Sequence, residues 1–194
     1  MRATLAGLFL LLAAGMCPMA AAERPLVQVE TNLGSFVIEL YPDYAPKTVA
    51  NFLQYVNDGF YDDTLFHRIV REFVLQGGGY GVGMKAKATR APIENESNHR
   101  ISNDRFTVAM ARDADPDSAT SQFFINLADN YTLNFENAPP GQSGYCVFGR
   151  IIKGAEVAEA MAATPIQSGG DFIGDTPVND LVLQRARLLA PKDQ

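Results

Sequence analysis

The chain has 194 residues, with 16 Lys and Arg against 22 Asp and Glu for a formal charge of −6, and it carries two Cys, two His and no Trp. Hydrophobic residues at 47% beside 20% charged residues exclude a disordered chain, and the acidic balance argues against nucleic acid as a partner, because phosphate binding needs a basic surface. Two Cys and two His are too few for a Cys-rich zinc site or a disulfide-dense scaffold.

Taken in chain order, residues 1–22 are predicted to be a secretory signal peptide. Arg2 is the only charge before Glu23, the apolar run Leu5 to Met16 follows, and Ala20-Ala21-Ala22 supplies a small-residue cleavage site. That run falls short of the roughly 20 residues that span a bilayer. Met16 stands where a small residue would be wanted before a lipid-modified Cys17, so lipid modification is not expected. Cleavage leaves residues 23–194 as one domain of 172 residues, with a charge of −7, no membrane segment and Cys146 as its lone cysteine. The expected location is the periplasm, or the exterior if the source is not Gram-negative. Stability must then come from a core rather than from a disulfide.

Leu26 to Thr31 alternates apolar and polar, Asn32-Leu33-Gly34 supplies a turn, and Ser35 to Tyr41 alternates again, which predicts a hairpin. Pro46 suits a first helical turn, and Val49, Phe52, Leu53 and Val56 follow at helical spacing until Gly59. Strand-like runs recur at Leu65 to Val70, Phe73 to Gln76, Phe106 to Ala111, Gln122 to Leu127, Tyr145 to Ile151 and Asp180 to Leu188, with a second short helix at Ala155 to Ala162. Many short strands and only two helices predict a closed or nearly closed β structure. The stretch Gly77 to Asp104 reads as one long loop, and a loop of that length is usually functional.

The chemistry begins with exclusions. His67 and His99 are the only histidines and no G-x-S-x-G elbow is present, which argues against a nucleophilic hydrolase. The run Gly77-Gly78-Gly79-Tyr80-Gly81-Val82-Gly83 lacks the Lys-Ser/Thr ending of a phosphate loop, so it reads as a mobile, turn-rich segment. Asn95-Glu96-Ser97 and Asn130-Tyr131-Thr132 match the glycosylation pattern, which matters only in a eukaryotic source.

Two segments carry a positive signal. Phe66-His67-Arg68-Ile69 followed by Phe73-Val74-Leu75-Gln76-Gly77-Gly78, and Ser121-Gln122-Phe123-Phe124-Ile125 leading to Val147-Phe148-Gly149, resemble the paired signatures of cyclophilins, the cyclosporin-binding peptidyl-prolyl cis-trans isomerases. The resemblance spans roughly residues 26 to 188, and the wording around Ala109-Met110-Ala111-Arg112 is most similar to the periplasmic cyclophilins of Gram-negative bacteria. It implies a mainly β fold, a closed eight-stranded antiparallel barrel capped by two helices. It also implies a proline socket from Phe73, Phe124 and Leu133, with Arg68 as donor and Gln76 orienting it. Ala111, Arg112, Gln122 and Tyr145 would complete the peptide site. The implied partners are proline-containing unfolded or flexible polypeptides, and the protein is expected to be a monomer without cofactor or metal.

This reaction suits such a set of residues. An X-Pro bond has near-balanced isomers separated by about 18–20 kcal/mol, because rotation breaks amide conjugation. The catalyst needs a grip on the ring and a donor that favours the pyramidal, deconjugated nitrogen, with no nucleophile. Lowering the barrier by about 5.5 kcal/mol gives roughly 10⁴-fold acceleration, within reach of a preorganised electrostatic contact. Burying about 100 Å² of ring at about 25 cal/mol per Å² gives only about 2.5 kcal/mol before costs, so binding should be weak and fast.

Plain structural readings stand beside these. Arg68 would also serve as the solvent-facing member of an alternating strand, Phe73 and Phe124 as core residues, and Gln76 and Gln122 as partners of backbone groups; His67 is read as structural. Thr132 stands where many eukaryotic cyclophilins carry a Trp, and Tyr145 where the family has a pocket-edge His, so weakened cyclosporin binding is expected. The alternative function is a non-catalytic module that holds proline segments in the same pocket.

Overall fold

The computed structural model describes residues 24–99, 101–140, 142–168 and 175–190. The predicted signal segment 1–22, including Cys17, lies outside the described residues. Strands β1 (Leu26–Thr31) and β2 (Gly34–Leu40) form the expected hairpin, whose turn is fixed by Thr31 Oγ1 donating to the Gly34 carbonyl at 2.8 Å. Helix α1 (Pro46–Asn57) starts at its proline and buries Val49, Phe52, Tyr55 and Val56, and Gly59 takes the left-handed conformation just beyond it (φ 64°).

The remaining elements are β3 (Thr64–Leu65), β4 (Arg68–Val70), β5 (Val74–Gly77), β6 (Tyr80–Gly81), β7 (Lys85–Ala86), β8 (Thr107–Met110), β9 (Phe123–Asn126), β10 (Val147–Lys153), α2 (Ala155–Ala162), β11 (Ile166–Gln167), β12 (Thr176–Pro177) and β13 (Val182–Leu188). Their neighbours run β4-β5-β9-β8-β10-β2-β1-β13-β3, with every pairing antiparallel. β3 and β4 are two parts of one run, 64–70, whose first part bonds to β13 and whose second bonds to β5. Counting that run once gives an eight-membered closed ring, as the resemblance implied.

Two expectations need correction. The strand Leu65 to Val70 is interrupted at Phe66 and His67, where the run changes partner: the Phe66 amide makes the last bond on the β13 side, to the Leu181 carbonyl, and Arg68 then pairs with Gln76 of β5, while both intervening side chains are buried. The segment after Gly77 is not one long loop: β6 and β7 form a small hairpin, and Ser97–His99 makes a 3₁₀ turn. Gly77, Gly78 and Gly79 are buried rather than turn-rich and loose. A Cβ on Gly78 would stand 3.0 Å from the rings of Phe123 and Tyr61, so this backbone is pressed against the core.

The core fills the barrel from β1, β2, β9 and β10, and α1 closes one end with Phe52, whose ring lies 5.0 Å from Phe148 and 5.7 Å from Phe123. Cys146 is a free, buried thiol, and burial pushes its pKa up to about 11. Both sequon asparagines are engaged: Asn95 Nδ2 donates to the Gly144 carbonyl and Asn130 Nδ2 to the Phe73 carbonyl.

Candidate active site

Strand register builds the site. Arg68 pairs with Gln76 across β4 and β5, Gln76 with Phe124 across β5 and β9, and Phe124 with Ala109 across β9 and β8. Directly opposed residues point to the same face of a sheet. Their strand neighbours Ile69, Leu75 and Ile125 enter the barrel core, so period-two alternation turns Arg68, Gln76 and Phe124 outward in one row.

Polar groups continue that row. Arg68 Nη1 donates to Gln76 Oε1 at 3.1 Å, and Gln76 Nε2 donates to Gln122 Oε1 at 2.9 Å. Charge on the guanidinium thereby orients both amides, and each bond polarises the next. Burial pulls the Arg68 pKa below its ordinary value while Tyr145 opposes that shift. A guanidinium nevertheless stays protonated in proteins.

Beside the row lies a second apolar cluster on the outside of the barrel. Val74, Ala109, Phe124 and Val147 form its floor, and Phe73, Ala111, Leu133 and Tyr145 pack on it while keeping partial exposure. Phe124 is only 4% exposed, so it serves as floor, whereas Phe73 offers an accessible face. Tyr145 meets Phe124 edge-on at 5.5 Å, and the Arg112 guanidinium stacks 4.6 Å above the Tyr145 ring. Arg112 also donates to the carbonyls of Ser143 and Asp113, at 2.6 and 2.9 Å.

Two recesses flank Arg112. The smaller, about 240 Å³, is lined by Gln76, Ala111 and Gln122 with Tyr80, Ser118 and Thr120; the larger, about 690 Å³, is lined by Thr132, Leu133 and Tyr145. All nine residues singled out from sequence thus converge on one face. Tyr80, Ser118 and Thr120 were missed, since isolated polar residues on a two-residue strand, a 3₁₀ turn and a loop give no pattern. Gly79 was missed too: a Cβ there would lie 2.5 Å from Gln122 Cγ. His67 is buried against the Tyr80 ring at 4.7 Å. Burial first, and then the nearby Arg68 charge, push its pKa down to about 4 against a hydrogen bond to the Leu65 backbone that raises it. It is neutral at pH 7, consistent with a structural place.

Comparison with known proteins decides the family. The model of the cyclophilin type peptidyl-prolyl cis-trans isomerases matches residues 26–187. The chain belongs to the cyclophilins. A peptidyl-prolyl cis-trans isomerase of Acinetobacter baylyi is 49% identical over 150 residues, covering 77% of this chain and 78% of the relative. One from Streptomyces antibioticus is 46% identical over 163 residues, 84% and 98% of the two chains. The Escherichia coli isomerase B is 44% identical over 159 residues, 82% and 96%. Among solved structures, a Cryptosporidium parvum cyclophilin superposes with a TM-score of 0.70 at 24% identity, over 86% of this chain and 98% of that one. The cyclophilin barrel and its bacterial kinship are therefore shown. Among the described residues no helix is long and apolar enough to cross a membrane.

Proposed function

We propose that this cyclophilin accelerates cis-trans rotation about X-Pro bonds in exported polypeptides, after removal of residues 1–22, and that it acts in the periplasm as a monomer. The observation that carries the reading is the outward row across β4, β5 and β9, where the Arg68 guanidinium, tied to Gln76 and Gln122, borders the half-open apolar cluster of Phe73, Phe124 and Leu133. The socket grips the proline ring. Arg68 donates toward the prolyl nitrogen as it becomes pyramidal, and Gln76 holds the guanidinium in place. Gln122, Ala111, Arg112 and Tyr145 bind the flanking peptide. No bond forms or breaks, and no proton moves.

The test is a cis-to-trans assay on a proline tetrapeptide with residues 23–194, wild type and Arg68→Ala side by side, with and without cyclosporin. Arg68→Ala should lose most turnover, on the order of 10²-fold for removal of one preorganised donor, while keeping its fold and its peptide affinity. A wild-type rate equal to buffer would sink the enzyme reading. Equal rates for the two proteins would favour a module that only holds proline segments.

A further inference from the structure

Behind the socket lies a chain of buried amides separate from the Arg68–Gln76–Gln122 row. Asn103, Asn126, Asn130 and Asn134 are all buried. Asn130 Nδ2 donates to Asn126 Oδ1 at 2.7 Å, Asn126 Nδ2 to Asn103 Oδ1 at 3.2 Å, and Asn103 Nδ2 to Asn134 Oδ1 at 3.2 Å. Asn126 Nδ2 also reaches Thr107 Oγ1 at 2.9 Å. Four buried amides are an expensive way to fill space, since apolar side chains would do so without desolvating donors and acceptors.

The chain ends on the socket walls. Asn130 Nδ2 gives its other hydrogen to the Phe73 carbonyl at 2.8 Å, and the Asn130 carbonyl accepts the Leu133 amide at 2.9 Å. The Asn130 amide itself donates to the Asn103 carbonyl at 2.8 Å, and the Leu133 carbonyl accepts from the Tyr145 amide at 2.9 Å. Phe73 comes from the turn between β4 and β5, while Leu133 comes from the 3₁₀ turn Tyr131–Leu133 after β9. One residue thus holds wall segments that are distant in sequence.

We infer that Asn130, locked by Asn126 and Asn103, is a positioning residue that fixes the spacing of Phe73 and Leu133 and so sets affinity for the proline ring. The inference rests on the reading of this cluster as a proline socket. The walls cannot separate without breaking two bonds at Asn130 in a water-poor interior, where unmade bonds are costly. The Arg68 row is untouched by this tie, so the effect falls on binding rather than on the rotation step.

The experiment measures proline-tetrapeptide Kd by NMR titration, and kcat by exchange, for wild type, Asn130→Ala, Asn130→Asp and Val157→Ala. Asn130→Asp keeps the shape and removes both donors. Val157 is a buried residue of α2 that packs against Gly34, outside the network, and its truncation destabilises without touching the socket. The Asn130 variants should raise Kd about tenfold, the scale of one or two lost positioning bonds, with kcat within about threefold of wild type; Val157→Ala should bind as wild type does. Asn130 variants that bind within about twofold of wild type, or an equal weakening in Val157→Ala, overturn the inference. If neither Asn130 variant folds, Asn126→Ser, which removes the amide that locks Asn130, must raise Kd about threefold, and an unchanged Kd overturns it. A wild type that binds peptide without isomerising it sinks the catalytic reading alone, and Kd still decides this one. A wild type that binds no proline peptide overturns both.

Discussion

Gly79→Ala isolates the contribution of the glutamine chain. The added Cβ would stand 2.5 Å from Gln122 Cγ, 2.7 Å from Cδ and 2.8 Å from Nε2, with no backbone among those nearest atoms. Gln122 is half-exposed and flexible, so it swings away rather than forcing the barrel open. Gly79 is not in the left-handed region, so alanine is tolerated there, and its stiffer unfolded chain offsets the small packing change. The swing breaks the 2.9 Å bond from Gln76 Nε2 and leaves Gln76 free to turn from Arg68. One such bond is worth about 1 kcal/mol, which predicts about a fivefold fall in kcat/KM with little change in melting temperature. The assay is proline-tetrapeptide isomerisation in a double-mutant cycle with Gln122→Ala. In the Gln122→Ala background the obstructed atoms are gone, so Gly79→Ala should have no further effect. Full activity in Gly79→Ala, or the same fivefold loss in both backgrounds, would refute the reasoning.

Three further outcomes follow from the same geometry. Activity should be nearly flat between about pH 6 and 9, since Arg68 stays charged there and His67, pushed down to about 4, stays neutral; a bell centred near neutrality would count against the non-covalent mechanism. Stability, by contrast, should depend on His67 in acid. Its folded pKa of about 4 lies below the unfolded value near 6.5, so its contribution is complete above about pH 6.5 and is lost as pH falls toward 4, by about 3 kcal/mol in all. Denaturant melts of wild type and His67→Phe across that range should diverge by about one proton in slope, and parallel curves would exclude the effect. Thr132 is exposed on the rim of the larger recess beside Leu133 and Tyr145, so Thr132→Trp should tighten cyclosporin binding about tenfold by adding an aromatic anchor, with peptide turnover unchanged; an unaltered cyclosporin Kd would remove the explanation from this position.

The legible part of this protein is the part carried by short contiguous patterns. The hairpin and both helices were read from periodicity and from Pro46 and Gly59, because amphipathic spacing is a local signal that the barrel reinforces. Arg68, Gln76, Phe73, Gln122 and Phe124 were read from two motif blocks, and strand register then explains why blocks so far apart in sequence share a face. What escaped was set by contacts between segments. Phe66 and His67 look like ordinary strand residues until the run is seen to leave the β13 side at Leu181 and to take up β5 at Arg68, with both side chains buried between. Gly79 looks like one glycine of a loose loop until Gln122 is placed against it.

The asparagines show the limit most clearly. Singly, Asn103, Asn126, Asn130 and Asn134 read as turn or surface residues, because their short amides compete with regular backbone pairing and favour loops. Only when the barrel gathers them does the competing chemistry become useful: the amides satisfy one another, the surplus Asn130 donor reaches the Phe73 carbonyl, and the Asn130 backbone carbonyl accepts the Leu133 amide. The same preference that disperses these residues in sequence-based reading therefore suits them to tie irregular segments together. Socket residues such as Phe73 and Leu133 sit on such segments rather than on regular strands, where single backbone bonds from the Leu127 and Tyr145 amides are supplemented by the Asn130 tie. A polar interior is thus the means by which this barrel gives its apolar pocket a fixed shape.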